Sequence, residues 1–238
     1  MPFATKLTLW GRDNNRLAHT ASLCRSVGAI CVETRSVDLF DIDTALVALV
    51  ASDDDTSVDT AIFASGLGDI HPANDAFDEP ELVSRLYRVN CVAPSALGAE
   101  LARRMAARQP RPHTNSPRGR IVFVGSAAAF ASMPFAASYA ASKAGLARFA
   151  DALRIAMRPH AIGVTLISPG FIDTAAARRV PGPKPFIISP EHAAKAILTA
   201  ARAGKAHLIL PWPFALARLI VGALPRAIRD RLLRAMAP

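Results

Sequence analysis

Short apolar segments alternate with helix-favouring stretches along nearly the whole chain, and this alternation most constrains the fold. Residues 121–124 (Ile-Val-Phe-Val) and 163–167 (Gly-Val-Thr-Leu-Ile) are apolar runs of the kind that form buried parallel strands. Further strands are predicted at residues 30–35, 60–64 and 207–210. Strands separated by helices favour an α/β fold with a doubly wound parallel sheet. With 238 residues, 51% of them hydrophobic, the chain can bury one substantial core.

Helix boundaries are clearest in the second half of the chain. Ser189 precedes Pro190, a pairing typical of an N-cap followed by the first helical residue, and Gly204 marks the end of that helix. A small-residue run predicts a helix over residues 136–158, and a long helix begins near residues 78–80 and continues to about residue 108. Residues 109–119, rich in Pro, Arg and Ser, predict a mobile surface loop.

Three polar residues carry the functional signal. Tyr139 and Lys143 stand at i and i+4, so they share one face of the predicted helix. An ammonium beside a phenol favours the phenolate, which makes the phenol an acid or base usable near neutral pH. Ser126 follows the strand at residues 121–124, and strand ends are where such folds bind ligands. Together the three residues indicate proton transfer that accompanies hydride transfer at a carbonyl.

After the next strand come residues 168–174 (Ser-Pro-Gly-Phe-Ile-Asp-Thr). With this segment, the order of the motifs resembles that of the short-chain dehydrogenase/reductase family over about residues 6–210. The resemblance implies a single Rossmann-like domain. It also implies that Tyr139 is the general acid/base and that Ser126 orients the substrate carbonyl. Lys143 would assist Tyr139 and bind the nicotinamide ribose, and the main-chain carbonyl of Asn90 would hold a water that links Lys143 to solvent.

The resemblance also implies which residues bind the nicotinamide. The Pro169-Gly170 turn would pack against the ring, while the backbone of Ile172 and the side chain of Thr174 would meet its carboxamide. In contrast, residues 63–66 (Phe-Ala-Ser-Gly) stand where the family has Asn-Asn-Ala-Gly, so the usual asparagine hydrogen bonds are absent there.

The adenosine side is implied by residues 6–13, which match the family's second strand and the turn after it. Arg12 stands in that turn, where an acidic residue would favour NAD(H) and an arginine accommodates the 2'-phosphate of NADP(H). Asp38 and Leu39, after the strand at residues 30–35, resemble the pair that flanks the adenine. The cofactor implied is therefore NADP(H).

The family's first strand, its Thr-Gly-x-x-x-Gly-x-Gly turn and the helix that follows have no counterpart in this sequence. We expect that the chain begins about 30 to 40 residues late, the size of one strand, loop and helix, and that it binds NADPH poorly by itself. The absent strand is the central one, so its two neighbours would face a gap. Either the true start lies upstream, or the neighbours pair directly, or a partner supplies the strand.

The composition of the chain argues against nucleic-acid binding, metal binding and secretion. The net charge is +9, but the aromatic residues are too few for base stacking, so we expect no nucleic-acid partner. The three cysteines and six histidines show no metal-ligand spacing, and we expect no metal site. Scattered cysteines and the lack of a secretion signal favour a cytoplasmic protein.

Residues 211–238 form a separate apolar and basic tail after the core of residues 1–210. The tail is too interrupted to span a bilayer, which needs about 20 apolar residues. It is either an interfacial amphipathic helix that contacts a membrane, or a substrate-site lid or homo-oligomer contact.

The sequence predicts an NADP(H)-dependent oxidoreductase that interconverts a carbonyl and an alcohol on a small apolar substrate. The alternative is a noncatalytic or cofactor-deficient homologue that acts as a binding or structural protein.

Overall fold

The computed structural model describes residues 6–29, 31–68, 78–109, 117–180 and 182–235. Ile30, the first residue of the strand predicted at residues 30–35, lies outside the described residues. Most of the loop predicted at residues 109–119 lies outside them as well. Two of the six histidines, His71 and His113, also lie outside them.

The described chain forms parallel strands separated by helices, which confirms the predicted α/β class. The strands are β1 (Lys6–Gly11), β2 (Cys31–Ser36), β3 (Thr60–Phe63), β4 (Gly119–Val124), β5 (Ile162–Pro169) and β6 (His207–Leu210). The helices are α1 (Asn14–Ser26), α2 (Ile42–Asp55), α3 (Pro80–Tyr87), α4 (Ala93–Ala107), α5 (Ala137–Met157), α6 (Ala175–Arg179), α7 (Pro190–Arg202), α8 (Pro213–Ala223) and α9 (Arg226–Ala235).

Two helices differ from their predicted form. The long helix near Asn90 is divided by a π-helical turn, Arg88–Val92, which joins α3 to α4. The tail forms two helices, because α8 stops at Leu224 and Pro225 precedes α9. A proline cannot donate the backbone hydrogen bond that a continuous helix requires.

The strands lie in two separate sheets. One sheet pairs β1 with β2, and the other has the order β3-β4-β5-β6. Among the described residues, β1 and β3 therefore share no ladder, so the two neighbours of the absent strand do not pair directly. The expected gap is present, and Ile62 of β3 remains 42% exposed although it lies in a parallel strand.

Local signals explain where the helices begin and end. The side chains of Asp13 and Asp41 accept backbone hydrogen bonds at the starts of α1 and α2. Ser189 caps α7 in the same way, as predicted. The helix ends at Gly204, which has a φ of +63°, and the amide of Lys205 donates to the carbonyl of Ala200. This C-terminal arrangement is one that glycine allows without strain.

The main core lies on the face of β4 that α4 and α5 cover. Phe123 is fully buried, stacks on Phe63 at 5.3 Å and meets Phe149 of α5 edge-on at 5.9 Å. A methyl group on Gly98 of α4 would lie 2.5 Å from the Phe123 ring. The glycine thus lets α4 approach the sheet closely enough to cover this ring.

An ion-pair cluster joins α2, which follows the small sheet, to α4, which lies on the large one. The buried carboxylate of Asp53 accepts hydrogen bonds from Arg104 at 2.7 Å, from Arg108, and from the amide of Val58 at 2.9 Å. Burial would raise the pKa of Asp53, but the Val58 amide and the two guanidinium groups outweigh it and hold the pKa below its ordinary value. The cluster ties α2 to α4, and Lys6 of β1 pairs with Asp55 at the end of α2 at 2.6 Å.

Asp53→Asn should destabilise the protein by roughly 2 kcal/mol, because it leaves two guanidinium groups without their buried anion. Asp54→Asn is the control, since Asp54 contacts Arg104 but is exposed and should change stability by less than about 0.5 kcal/mol. Urea unfolding measures both. Because the pKa of Asp53 is depressed in the fold, its contribution is present above pH 4 and is lost as the pH falls below about 4. Equal losses for the two variants at pH 7 would contradict the role given to Asp53.

Candidate active site

Helix α5 brings Tyr139 and Lys143 to the carboxyl end of β4. Lys143 is only 5% exposed, and its Nζ donates to the carbonyl of Val124, the last residue of β4, at 3.3 Å. Tyr139 lies one turn earlier on the same helix and is half-buried. Both residues thus lie on α5, the helix predicted over residues 136–158, and Lys143 reaches the end of the strand that precedes Ser126.

The ammonium of Lys143 is held in a poorly solvated position. Burial lowers the pKa of Lys143 to about 8, and the nearby Cys91 thiol opposes that shift only in part. No carboxylate in the described part of the chain forms a salt bridge with Lys143. A buried ammonium with a single carbonyl acceptor has donors left for further oxygen acceptors.

Asn90 lies fully buried inside the π-helical turn and connects two parts of the site. Its Oδ1 accepts from the amide of Leu67 at 2.7 Å, and its Nδ2 donates to the carbonyl of Leu67 at 3.0 Å. Nδ2 also donates to Ser142 Oγ at 3.2 Å. Asn90 thus pairs with the segment after β3 and with α5. π-Helical turns of this kind are frequent at functional sites.

Two positioning residues escaped the sequence analysis. The hydroxyl of Ser142, fully buried, donates to the carbonyl of Tyr139 at 2.8 Å and receives the bond from Asn90. The carboxylate of Asp78 accepts from the amide of Ser138 at 2.9 Å, which fixes the start of α5 just before Tyr139. No motif marks either residue, because their roles depend on contacts between distant segments.

Gly66 closes the site on the side of β3. A methyl group there would lie 3.1 Å from Lys143 Nζ and 3.2 Å from Asn90 Oδ1. The glycine therefore allows the chain after β3 to approach both side chains. This close approach persists although both asparagines expected before it are replaced.

Ser126 follows β4 by two residues and caps the short helical turn Ala127–Phe130. Its Oγ accepts from the amide of Ala128 at 3.1 Å, and its side chain is half-buried. The hydroxyl proton is not used in that bond. Ser126 can therefore donate to an oxygen placed beside it.

The predicted nicotinamide segment begins where β5 ends. The amide of Gly170 donates to the carbonyl of Leu210 at 2.7 Å, and a methyl group on Gly170 would lie 2.2 Å from the Phe214 ring of α8. Ile172 forms a bridge with Ile188, and Thr174 caps α6 by accepting from the amide of Ala177 at 3.1 Å. Gly170 thus allows α8 to pack directly on this turn.

The predicted adenosine residues lie on the small sheet. Arg12 lines a cavity of about 570 Å³ between the end of β1 and the start of α1, together with Arg16, which the sequence analysis missed. Asp38 is exposed, and its carboxylate accepts from the amide of Phe40 at 3.0 Å, whereas Leu39 packs on the core. Arg12, Asp38 and Leu39 thus follow strands of the small sheet, whereas Lys143 contacts β4 of the large one.

The described residues contain no group of side chains arranged to bind a metal ion. Within the same part of the chain, no helix is long and apolar enough to cross a membrane.

The chain is similar to several known proteins. A family model for short chain dehydrogenases matches residues 4–183. An uncharacterised oxidoreductase of Myxococcus xanthus is 32% identical over 117 residues, which are 49% of this chain and 46% of that protein. A bovine dehydrogenase/reductase SDR family member 7B is 36% identical over 95 residues, 40% of this chain and 27% of that protein. The matched regions thus span less than half the length of these curated relatives.

Solved structures share the fold. A Sphingobium yanoikuyae short-chain dehydrogenase in complex with NADPH has a TM-score of 0.73 at 22% identity, covering 93% of this chain and 87% of that one. A Burkholderia cenocepacia short chain dehydrogenase in complex with NADP has a TM-score of 0.72 at 22% identity, covering 96% and 98%. A bulky-bulky ketone specific alcohol dehydrogenase from Comamonas testosteroni has a TM-score of 0.71 at 23% identity, covering 93% and 86%.

Lys143→Met should stabilise the ligand-free protein below pH 8, on the order of 3 kcal/mol at most, because the buried ammonium is costly there. The depressed pKa means that the folded wild type loses its proton near pH 8, whereas the unfolded chain loses it near 10.5. The advantage of the variant should therefore narrow from pH 8 to 10.5. Urea unfolding across this range measures it, with the exposed Lys195→Met as control. A stability difference that does not change with pH would contradict the burial cost.

Proposed function

This chain belongs to the short-chain dehydrogenase family, and we propose that it is an NADP(H)-dependent oxidoreductase that interconverts a carbonyl and an alcohol. The substrate class is a small, apolar ketone, aldehyde or alcohol. We propose Ser126, Tyr139, Lys143 and Asn90 as the residues of the reaction site.

The observation that carries this proposal is the environment of Lys143. A cation is seldom buried without a partner, because its desolvation is costly. Here the ammonium lies under the end of β4, one turn from a tyrosine, in a site closed by Gly66 and Asn90. A purely structural lysine would gain more from a carboxylate or from solvent. An ammonium held this way suits a ligand with hydroxyl acceptors and a phenol that must change its protonation.

The residues present fit a nicotinamide dinucleotide at both ends. Lys143 would hold the ribose beside the nicotinamide, and residues Pro169, Gly170, Ile172 and Thr174 would hold the ring and its carboxamide. Arg12 and Arg16, with Asp38 and Leu39, would hold the adenosine end at the cavity beside β1. When bound, this cofactor supplies or accepts the hydride.

The chain's own residues would supply the proton. In the reductive direction, the Tyr139 hydroxyl donates its proton to the carbonyl oxygen of the substrate, while the Ser126 hydroxyl hydrogen-bonds that oxygen and orients it. The Lys143 ammonium stabilises the tyrosinate left behind. Asn90 keeps the π-helical turn in place, where its main-chain carbonyl would hold a water that links Lys143 to solvent.

The preference for NADP(H) rests on charge at the end of β1. Gly11 stands where an acidic residue would accept from a ribose 2'-hydroxyl, and Arg12 and Arg16 line the adjoining cavity. Two guanidinium groups favour a phosphate at this position. The Sphingobium and Burkholderia structures, which share the fold, are complexes with NADPH and NADP.

The apolar substrate class rests on the side chains around the site. Phe130 follows Ser126 by four residues, and Phe214 lies on the Gly170 turn with Phe186 edge-on at 6.1 Å. These rings offer few polar groups to a substrate. We further propose that the protein forms a homo-oligomer. We also propose that it is cytoplasmic, because Cys24, Cys31 and Cys91 are free thiols.

A second candidate is a noncatalytic homologue that keeps the reaction-site residues without binding the cofactor. Two observations favour this homologue. In the described part of the chain β1 and β3 share no ladder, and the 238 residues contain no glycine-rich turn to bind the pyrophosphate. The genomic DNA upstream of Met1 separates the two proposals. In-frame codons for a glycine-rich strand, turn and helix favour the enzyme, whereas a stop codon in each upstream frame favours the homologue.

Tyr139→Phe should lower turnover by about 100-fold to 10,000-fold, because it removes the proton donor and leaves the ring packing intact. The assay follows NADPH oxidation by the full gene product with a panel of aryl and alkyl ketones. Tyr87→Phe is a matched control, since Tyr87 is the only other tyrosine and is 40% exposed. Near-normal turnover by the folded Tyr139→Phe protein would rule out the proposed role.

Arg12→Ala should weaken NADPH binding by about tenfold to a hundredfold and leave NADH binding nearly unchanged, because only NADPH carries the 2'-phosphate. Isothermal titration of the full gene product with NADPH and with NADH measures the ratio of the two affinities. Arg158→Ala, which changes an exposed arginine after α5, controls for the loss of net charge. Equal weakening of the two cofactors would show that Arg12 does not contact the phosphate.

A further inference from the structure

Helix α8 has one face that contacts the rest of the protein. Phe214 lies on the Gly170 turn, and Arg218 donates to Nδ1 of His207 at 3.2 Å while its guanidinium lies 5.1 Å from the centre of the Phe130 ring. His207 in turn bonds Ser168 at 2.9 Å through Nε2. These contacts fix the helix against the ends of β5 and β6, so its orientation is set by the fold.

The opposite face of α8 is apolar and exposed. Trp212 at its start, Leu216, Leu219 and Ile220 are 73%, 50%, 70% and 51% exposed. Their spacing of four, three and one residues places them along one side of the helix. Four large apolar side chains in a row are more than the scattered exposure usual for a protein surface. We call these four residues the apolar stripe.

A basic helix, α9, follows the stripe in the chain. Residues 211–235 carry five arginines and one acidic residue, Asp230. In α9, Arg226, Arg231 and Arg234 are exposed, as are the apolar side chains of Ile228 and Leu232. The tail therefore offers apolar side chains and positive charge on neighbouring helices.

We propose that α8 and α9 bind the surface of an anionic lipid bilayer. The apolar stripe enters the boundary between headgroups and acyl chains, and the arginines of α9 pair with lipid phosphates. Trp212 suits this boundary, because an indole has an apolar body and a polar N–H. A bilayer fits the charge better than a second copy of this chain, since a symmetric contact would bring the arginines of two tails together.

The test measures vesicle binding and does not depend on enzyme activity, so it is independent of the proposed function. The 238-residue protein is floated with phosphatidylcholine vesicles that either contain or lack phosphatidylglycerol. We expect binding to the anionic vesicles that weakens with added salt, and little binding to the neutral ones. Trp10 is the only other tryptophan, so a Trp10→Phe background should show a blue shift of Trp212 emission on binding.

Two variants separate the contribution of the apolar stripe to vesicle binding from that of the arginines of α9. Leu219→Glu should abolish binding, and reversal of both Arg231 and Arg234 to Glu should reduce it by at least about tenfold. Val47→Glu is the control, because Val47 is 71% exposed on α2 and should not affect binding. Folding of each variant is checked by circular dichroism.

Three outcomes would overturn the proposal. One is equal binding to neutral and anionic vesicles, and another is a loss of binding by Val47→Glu as large as that by Leu219→Glu. The third is wild-type protein that binds no vesicles and sediments as a dimer that Leu219→Glu converts to a monomer. That result would assign the apolar stripe to self-association.

Discussion

The packing of α2 against α4 holds this molecule together, because the two sheets share no hydrogen-bonded ladder among the described residues. The Asp53 carboxylate lies at this contact with Arg104 and Arg108, and Arg88 lies 4.9 Å from the Phe40 ring as a second link across the split. In an unbroken sheet, cooperative backbone hydrogen bonds would join the two halves of the molecule. Here side-chain contacts join them, and such contacts are more sensitive to pH, salt and single substitutions.

The reaction site depends on a different kind of constraint, since most of it lies within the larger sheet and its helices. Asn90 bonds both the segment after β3 and α5, while Asp78 and Ser142 fix the turn that carries Tyr139. The core of the larger sheet, where Phe123 and Gly98 pack closely, contributes the stability that offsets the cost of burying Lys143. The arrangement of the candidate site is thus held within the larger sheet and its helices, although the small sheet is separate.

The sequence predicted the strands to within about two residues, because buried parallel strands are recorded as apolar runs. It also placed Tyr139 and Lys143 on one helix and Ser126 after the end of a strand, since these placements follow from helix spacing and apolar runs. The π-helical turn at residues 88–92 was not predictable, since it reflects contacts of Asn90 with distant segments. The same holds for Ser142, Asp78 and Arg16. The tail was predicted as helical, but its division at Leu224 and its packed face depend on tertiary contacts.

The split also divides the proposed dinucleotide site, with Arg12 and Asp38 on one sheet and Lys143 and Gly170 on the other. A dinucleotide bound at both ends would act as a cross-link between the two sheets. Its two halves would behave as a bivalent ligand, so the affinity of the whole would depend on how rigidly α2 and α4 fix the distance between the half-sites. Any loosening of the contact between α2 and α4 would then lower the effective concentration of the second half without altering a single residue that touches the ligand.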